Sequence, residues 1–273
     1  MQTPVTGLPV QPRAIGHARV AVRSSERGTV LQRLYQKGAL KVVFPRTANH
    51  MQAVLVNTAG GITGGDAMDV GIDVTDGAAL TVTTQASERA YKAQPGETGR
   101  VRTRLSVGAG GLLQWVPQEL ILFDGCAIER DLEVSLDEGA SALIVEPMIF
   151  GRSAMGENVV NGRVSERIRI TRAGAPLVTD AWALEGDLTA EMDRPGVGAG
   201  ARAMASLTFV APDAEAHLGA VRGHLPEGCG ASLLAQDVLV VRMLTSSGFM
   251  LRQTLLPVLD QLTGQTLPTC WRL

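Results

Sequence analysis

Acidic side chains stand in three unusual places in this sequence, and they are the groups best suited to bind a cation. Glu146 interrupts the apolar run Ala-Leu-Ile-Val-Glu-Pro-Met-Ile-Phe, Glu119 precedes the run Leu-Ile-Leu-Phe, and Asp66 ends a glycine-rich segment. A carboxylate in apolar surroundings costs free energy unless it is paired, hydrated or bound to a cation. Two interpretations stay open: carboxylates that are hydrated or bind a cation, or structural ion pairs with Arg152 as a candidate partner of Glu146.

The glycine-rich segment, Asn57 to Asp66, contains four glycines: Gly60, Gly61, Gly64 and Gly65. Such loops can cradle phosphate through backbone amides. A P-loop needs Lys-Ser/Thr after the last glycine and a helix behind it, whereas here Asp66 and strand-like residues follow. The segment therefore predicts a close backbone passage that only glycine fits. Gly151 and Arg152 open a second turn-rich loop, also predicted to be structural.

No set of residues predicts an enzyme. The histidines form neither a triad nor a metal pattern: His17, His50, His217 and His224. Ser153 lacks a Gly-x-Ser-x-Gly elbow. The three cysteines include no Cys-x-x-Cys pair and are predicted to be free thiols: Cys126, Cys229 and Cys270. We expect no tightly bound cofactor and no fixed metal site. Paired acids could serve a glycosidase, but 4% aromatic residues leave little to stack on sugar rings.

Alternating polar and apolar residues over much of the first 172 positions predict many strands with one solvated face, such as Ile128 to Leu136. Gly77, Gly110 and Gly139 each open a buried-looking strand, at spacings of 33 and 29 residues. Such a period is typical of stacked coils, although an ordinary β-sandwich also has repeated glycine turns. The fold class predicted is mainly β, a solenoid-like stack of sheets with a small C-terminal helical part.

If the coils stack, their strand ends superimpose. The polar residues at the end of the first of these strands, Thr83, Thr84 and Gln85, then lie near Gln118 and Glu119 and near Glu146. Polar and acidic groups would converge at one corner of an otherwise aliphatic body.

The last hundred residues have a different pattern. Apolar residues recur at helical spacing between Asp213 and Leu225 and again after Ser246 and Ser247, either of which can cap a helix. Pro257 predicts a kink or a later start in the second helix, and Gly264 a stop. We predict one domain over residues 1–273: a flexible arm over 1–16, a β stack over about 17–185, and mixed strands with two helices over about 186–273.

The composition limits the partners and the compartment. The chain has 273 residues, 31 glycines, 45% hydrophobic and 19% charged residues, and a net charge of −2. These values exclude a disordered chain or collagen and disfavour a helical bundle. They give no overall basic field for nucleic acid or membrane, and no apolar run is long enough to span a bilayer. Without a signal-type segment, a cytoplasmic location is expected. The low charge predicts poor solubility alone, because a partner covers part of the surface.

Four blocks in order resemble the UreD (UreH) family of urease accessory proteins from about residue 17 to the C-terminus. The blocks are Asn57-x-x-Gly-Gly-Ile-x-Gly-Gly-Asp66, Thr83-Thr-Gln-Ala86 followed by Tyr91, Trp115-x-Pro-Gln-Glu119 running into Phe123, and Gly151-Arg-x-Ala-x-Gly-Glu157. Three places depart from the family pattern: Thr58-Ala59 replaces a common proline, Ser87 to Tyr91 lacks a Thr-Lys pair, and Thr269 to Arg272 matches the usual ending only loosely.

The resemblance implies a non-catalytic scaffold with a helical roll of sheets. It implies binding to UreF, through UreF to UreG, and docking on the urease apoprotein. It also implies a part in delivering nickel to urease, with an internal channel as the route, so nickel would be cargo in transit. The candidates for lining that channel are Asp66, Thr83, Thr84, Gln85, Glu119 and Glu146. A purely structural adaptor without a metal path is the alternative.

Overall fold

The computed structural model describes residues 11–47, 51–152 and 155–272, which form seventeen strands and three α-helices. The strands of the first half are β1 (Ile15–Ser25), β2 (Gly28–Gly38), β3 (Leu40–Val43), β4 (Met51–Asn57), β5 (Ala67–Val74), β6 (Ala79–Thr84), β7 (Glu88–Ala90), β8 (Gly99–Val107), β9 (Leu112–Trp115) and β10 (Leu120–Leu122). The later elements are β11 (Ala127–Leu136), β12 (Ser141–Phe150), β13 (Gly162–Arg172), β14 (Ala175–Gly186), α1 (Leu188–Asp193), β15 (Ala203–Val210), α2 (Ala214–His224), β16 (Gly230–Ala235), β17 (Val238–Thr245) and α3 (Gly248–Thr263), followed by a 3₁₀ turn, Thr269–Arg272.

The strands form two sheets that the chain visits in turn. The first sheet has the order β14-β13-β11-β8-β5-β1-β2, and its five central strands are parallel. The second has the order β16-β17-β15-β12-β9-β6-β4-β3, with β4, β6, β9 and β12 parallel, and the short strands β7 and β10 attached beside β12. Stepping from one sheet to the other and back builds stacked coils. The predicted fold class, a mainly β, solenoid-like stack, is confirmed.

The coils stack in the register that the repeat predicts. Ala79 on β6 pairs with Leu112 on β9, and Leu112 pairs with Ser141 on β12. These steps are the same 33 and 29 residues that separate the corner glycines. Each of those glycines turns the chain with φ between 64° and 72°: Gly77, Gly110 and Gly139. A left-handed backbone costs other residues free energy, so glycine marks each corner in the sequence.

Charge alternates from strand to strand across the outer face of the first sheet. The outward residues are basic on β1, acidic on β5, basic on β8, acidic on β11 and basic on β13. They form cross-strand ion pairs: Arg19–Asp69, Arg100–Glu129, Arg104–Glu133, Arg169–Asp131 and Arg169–Glu133. Opposite charges on neighbouring strands stabilise this register, and a slip would bring like charges together.

The C-terminal part adds a second layer outside the second sheet. The helices predicted after Asp213 and Ser247 are present as α2 and α3. Ser247 caps α3 by accepting a hydrogen bond from the backbone N–H of Met250 (3.2 Å), and Gly264 ends it with φ 59°. Pro257 lies within α3, which continues through it. An apolar core between α3 and the second sheet includes the fully buried Trp271.

Part of the predicted N-terminal arm, residues 1–10, lies outside the described residues. Within the described part, β1 begins at Ile15. None of the described helices is long and apolar enough to cross a membrane.

Candidate functional site

A cavity of about 270 Å³ lies between the two sheets. Its inner wall is largely apolar, from residues such as Met68, Val101 and Ile128. Its mouth is formed by exposed residues of the glycine-rich segment and of the turn after β6: Gly60, Gln85, Ala86 and Arg89. Its polar wall includes Asn57, Thr84, Ser87, Glu88, Thr103, Gln118 and Arg130. Polar groups therefore enter an aliphatic stack near one opening.

Glu88 is the carboxylate in the wall of this cavity. Its Oε2 accepts a hydrogen bond from Nδ2 of Asn57 (3.0 Å), and its Oε1 accepts one from the backbone N–H of Arg89 (3.0 Å). Burial raises the pKa of Glu88 above its usual value, although the Asn57 bond works the other way. Glu88 is not recognisable as a site residue in the sequence, because it stands in the polar segment Ser87-Glu-Arg-Ala-Tyr91. The one sequence feature that could have indicated its role is its position three residues after Gln85, at the start of strand β7.

Arg130 and two buried glutamates form a charged cluster beside the cavity. The guanidinium of Arg130 binds Glu146 and also Glu166 (2.6 Å), and both glutamates are less than 5% exposed. The indole N–H of Trp115 donates to Glu146 (2.7 Å), and that of Trp182 donates to Glu166 (3.3 Å). One cation thus faces two carboxylates.

The unequal charge count affects proton affinity in the cluster. The pKa of Glu166 is raised to about 7, mainly by burial. The positive charge of Arg130 lowers this pKa, and the nearby Glu146 carboxylate raises it. Burial lowers the pKa of Arg130, but the attraction of Glu146 and Glu166 outweighs burial, so this pKa is raised. Glu166 is the member of the cluster that binds a proton near neutral pH.

The expected pairing of Glu146 with Arg152 is wrong. Arg152 is exposed, binds Glu157 through Nε (2.7 Å) and lies 4.5 Å from the centre of the Phe123 ring. Gly151 before it has φ 76° and leaves no room for a Cβ beside the carbonyl of Glu157. Arg130 was missed because the outward residues of its strand, β11, are Glu and Asp. An inward arginine between them is not distinguishable in the sequence from another surface charge.

Glu119 joins the stack to α3. Its carboxylate accepts hydrogen bonds from Nε (3.0 Å) and Nη2 (2.8 Å) of Arg252 and from the hydroxyl of Ser87 (3.0 Å). Arg252 also reaches Gln118 and lies 5.3 Å from the centre of the Trp271 ring. Glu119 is 3% exposed, so this bidentate pair is a buried link between the β stack and the C-terminal helix.

Asp66 holds the start of the stack. Its Oδ1 accepts the backbone N–H of Ala14 (2.7 Å) and its Oδ2 that of Thr63 (2.9 Å). The preceding loop passes other chain segments closely. A Cβ at Gly61 would lie 2.3 Å from the Tyr91 ring, and one at Gly64 would lie 2.7 Å from the Cβ of Glu97. Gly60 and Gly65 have positive φ values of 77° and 83°.

The polar strand ends meet as the stacked register requires. Thr84 accepts the backbone N–H of Gln118 through its hydroxyl (2.9 Å), and Ser87 connects this turn to Glu119. Thr84 and Gln85 line the cavity, while the hydroxyl of Thr83 lies 3.8 Å from Sγ of Cys270. The predicted acids Asp66, Glu119 and Glu146 are held by protein partners and are not among the residues that line the cavity, whereas Glu88 is.

The arrangement can bind or pass a small polar or hydrated species, with oxygen ligands from Glu88, Thr84, Gln85 and the backbone. The described residues contain no group of three or more His, Cys, Asp or Glu side chains placed to hold a metal ion. The three cysteines are unbridged, and burial raises the pKa of Cys126 to about 12, so this thiol stays protonated.

Fold and site define a class: a solenoid-like β stack with a polar-mouthed internal cavity and a C-terminal helical layer. Comparison with known proteins shows the family. The family model described as UreD urease accessory protein matches residues 14–272. The urease accessory protein UreD of Roseobacter denitrificans is 49% identical over 263 residues, covering 96% of each chain. Those of Ruegeria pomeroyi and Rhizobium etli are 50% and 42% identical, over 89% and 96% of this chain and 95% and 96% of theirs. The chain therefore belongs to the UreD family of urease accessory proteins.

Proposed function

We propose that this protein is a non-catalytic scaffold for the maturation of urease. It binds UreF, reaches UreG through UreF, and docks on the urease apoprotein in the cytoplasm. Nickel passes through its internal cavity on the way to the urease site, as cargo and not as a resident cofactor. Family membership and the names of the relatives support the maturation role.

The observation that carries the nickel path is the cavity with its polar mouth at Gly60 and Gln85 and the carboxylate of Glu88 in its wall. Carboxylate, hydroxyl and amide oxygens with water bind Ni²⁺ weakly enough to release it, whereas a Cys or His cluster would hold it. The paired acids contribute indirectly: Glu146 keeps Arg130 in place, and Glu119 keeps α3 against the polar corner.

A structural adaptor without a metal path is the second candidate. The observation that favours it is the pairing of the interior acids, since Asp66 binds backbone amides, Glu119 binds Arg252 and Glu146 binds Arg130. These partners are sufficient to explain why the acids are buried. The adaptor would hold its partners on urease and leave the cavity without a role.

Reconstitution tests the maturation role, which both candidates share. Purified urease apoprotein is incubated with UreF, UreG, GTP and Ni²⁺, with or without this protein, and nickel per urease active site is measured after gel filtration. The maturation role predicts that loading depends on this protein. Unchanged loading without it would contradict that role.

The variant Glu88→Gln then tests the path. It keeps the side-chain shape and an acceptor for Asn57 but removes the cavity carboxylate. The path predicts several-fold slower nickel loading by a complex that assembles normally. The matched control Glu138→Gln changes an exposed turn residue and should load like wild type. Equal loading by the two variants would favour the adaptor.

A further inference from the structure

The N-terminal strands carry a concentrated positive charge that the whole-chain average hides. Residues 13–46 contain eight lysines and arginines and a single acid, Glu26, a net charge of +7 against −2 for the chain. Much of it lies on the hairpin of β1 and β2, where Arg23, Arg33 and Lys37 are exposed. Among the described residues these three form no ion pair, unlike Arg19, which binds Asp69.

Strand β2 is also an open edge of the first sheet. It pairs with β1 on one side, and no described strand pairs with its other side. None of its eleven residues is buried, and every residue from Leu31 to Gly38 is exposed. Three of these are large and apolar, with Leu31 and Leu34 each 39% exposed and Tyr35 49% exposed. An edge this long presents unpaired peptide N–H and C=O groups together with apolar side chains.

We propose that β2 is a docking edge for a protein partner, which adds an extended, acidic segment as a further strand of the first sheet. The inference rests on the proposed function, since the partner is taken from the maturation complex. Main-chain hydrogen bonds along β2 would supply affinity, and alternate side chains would supply specificity. Arg33 and Lys37 would meet carboxylates, while Leu31 and Leu34 would meet apolar residues of the added strand.

The charge selects this occupant over two others. A second copy of the chain pairing through β2 would bring Arg33 and Lys37 of both copies together, which is unfavourable. Nucleic acid or an anionic membrane would match the charge, but neither can pair with alternating peptide N–H and C=O groups. An acidic polypeptide strand satisfies the peptide groups, the charge and the exposed apolar residues together.

Hydrogen exchange on the full-length protein tests the proposal. Exchange in residues 28–38 is compared for the protein alone and after adding purified UreF, UreG or urease apoprotein, singly and together. One of these complexes should slow exchange in 28–38 at least tenfold. The variant Arg33→Glu/Lys37→Glu should weaken binding of that same partner at least tenfold, and raising the salt concentration should weaken the wild-type complex more than the variant one.

Arg167→Glu is the matched control. Arg167 is exposed on β13 of the same sheet, far from β2, and forms no ion pair with another described residue. We expect this variant to bind the partner within twofold of wild type.

Unchanged hydrogen exchange in residues 28–38 in every complex that forms would overturn the proposal. The basic residues would then serve only to prevent the edge strand from pairing with other chains. A 20-base-pair DNA duplex and phosphatidylserine vesicles serve as competing probes. The proposal would also be overturned if the wild-type chain bound either probe and the double variant lost that binding while still binding its protein partner. Failure of the wild-type chain to bind any of the three proteins would contradict the proposed function itself.

Discussion

The indole N–H of Trp115 donates a 2.7 Å hydrogen bond to Glu146, which lies on the neighbouring strand of the second sheet. This bond and the Arg130 guanidinium hold the Glu146 carboxylate inside the stack. A residue that looks like a metal ligand in the sequence is thus one corner of a charged cluster, and four predictions follow from this and the neighbouring contacts.

Removing the cation of the cluster should destabilise the fold. Arg130→Met leaves Glu146 and Glu166 buried without their counterion, at a cost of about 3–5 kcal/mol. Urea unfolding followed by tryptophan fluorescence measures the loss, because Trp115 and Trp182 both contact the cluster. Arg169→Met removes a partly exposed residue of the cross-strand ion pairs and should cost at most about 1 kcal/mol. Similar losses for both variants would contradict the assignment.

Glu166 should make stability depend on pH. Its folded pKa of about 7 lies above the usual value of 4.5, so the folded state binds the proton more tightly than the unfolded state. This contribution to stability is complete below about pH 4.5 and is lost as pH rises through 7. Glu166→Gln should therefore flatten the free energy of unfolding between pH 5 and 8 relative to wild type. If the free energy of unfolding changed between pH 5 and pH 8 by the same amount in Glu166→Gln as in wild type, Glu166 would be ionised throughout that range.

The Glu119–Arg252 pair should hold α3 against the β stack. Arg252→Met buries an unpaired Glu119 carboxylate and should speed hydrogen exchange in residues 248–272 before the strands of the stack exchange. The matched variant Arg272→Met removes an exposed pair with Asp260 and should leave exchange in β12 and α3 near wild type. Uniform acceleration over the whole chain in Arg252→Met would contradict a local link.

The close passage of the glycine-rich segment should tolerate no Cβ at Gly61. Gly61→Ala would place a methyl group 2.3 Å from the Tyr91 ring and should cost about 1–3 kcal/mol by thermal unfolding. Gly230→Ala is the control, because no atom lies within 4 Å of the position that an added Cβ would take and the φ of Gly230 is not left-handed. Its stability should stay within about 1 kcal/mol of wild type or rise slightly.

The stacked fold was predictable because its signals are local and repeated. Each coil corner needs a left-handed backbone conformation, so glycine marks it in the sequence. The spacings of 33 and 29 residues between these glycines equal the steps between paired strands, so the register could be read from the sequence. The caps of α3 were predictable for the same reason, since Ser247 and Gly264 act on adjacent backbone.

The roles of the interior acids were not predictable from the sequence, because their partners are far away in it. Arg252 is 133 residues from Glu119, and no pattern around either residue names the other. Arg130 is only 16 residues from Glu146, but it is concealed among alternating surface charges on β11. Glu88 was missed because its side-chain partner, Asn57, lies 31 residues before it in the sequence.

Nickel loading by a cavity-filling variant tests the central claim most directly. Val70→Phe places a phenyl ring at the cavity wall, on strand β5, which does not pair with the strand of Arg130. Val160→Phe makes the same change at a position that is 54% exposed. Nickel per urease active site is measured after reconstitution with UreF and UreG, once gel filtration shows that both variants assemble. The proposed path predicts at least fivefold less nickel with Val70→Phe and wild-type loading with Val160→Phe. Equal loading by both assembled complexes would contradict a path through this cavity.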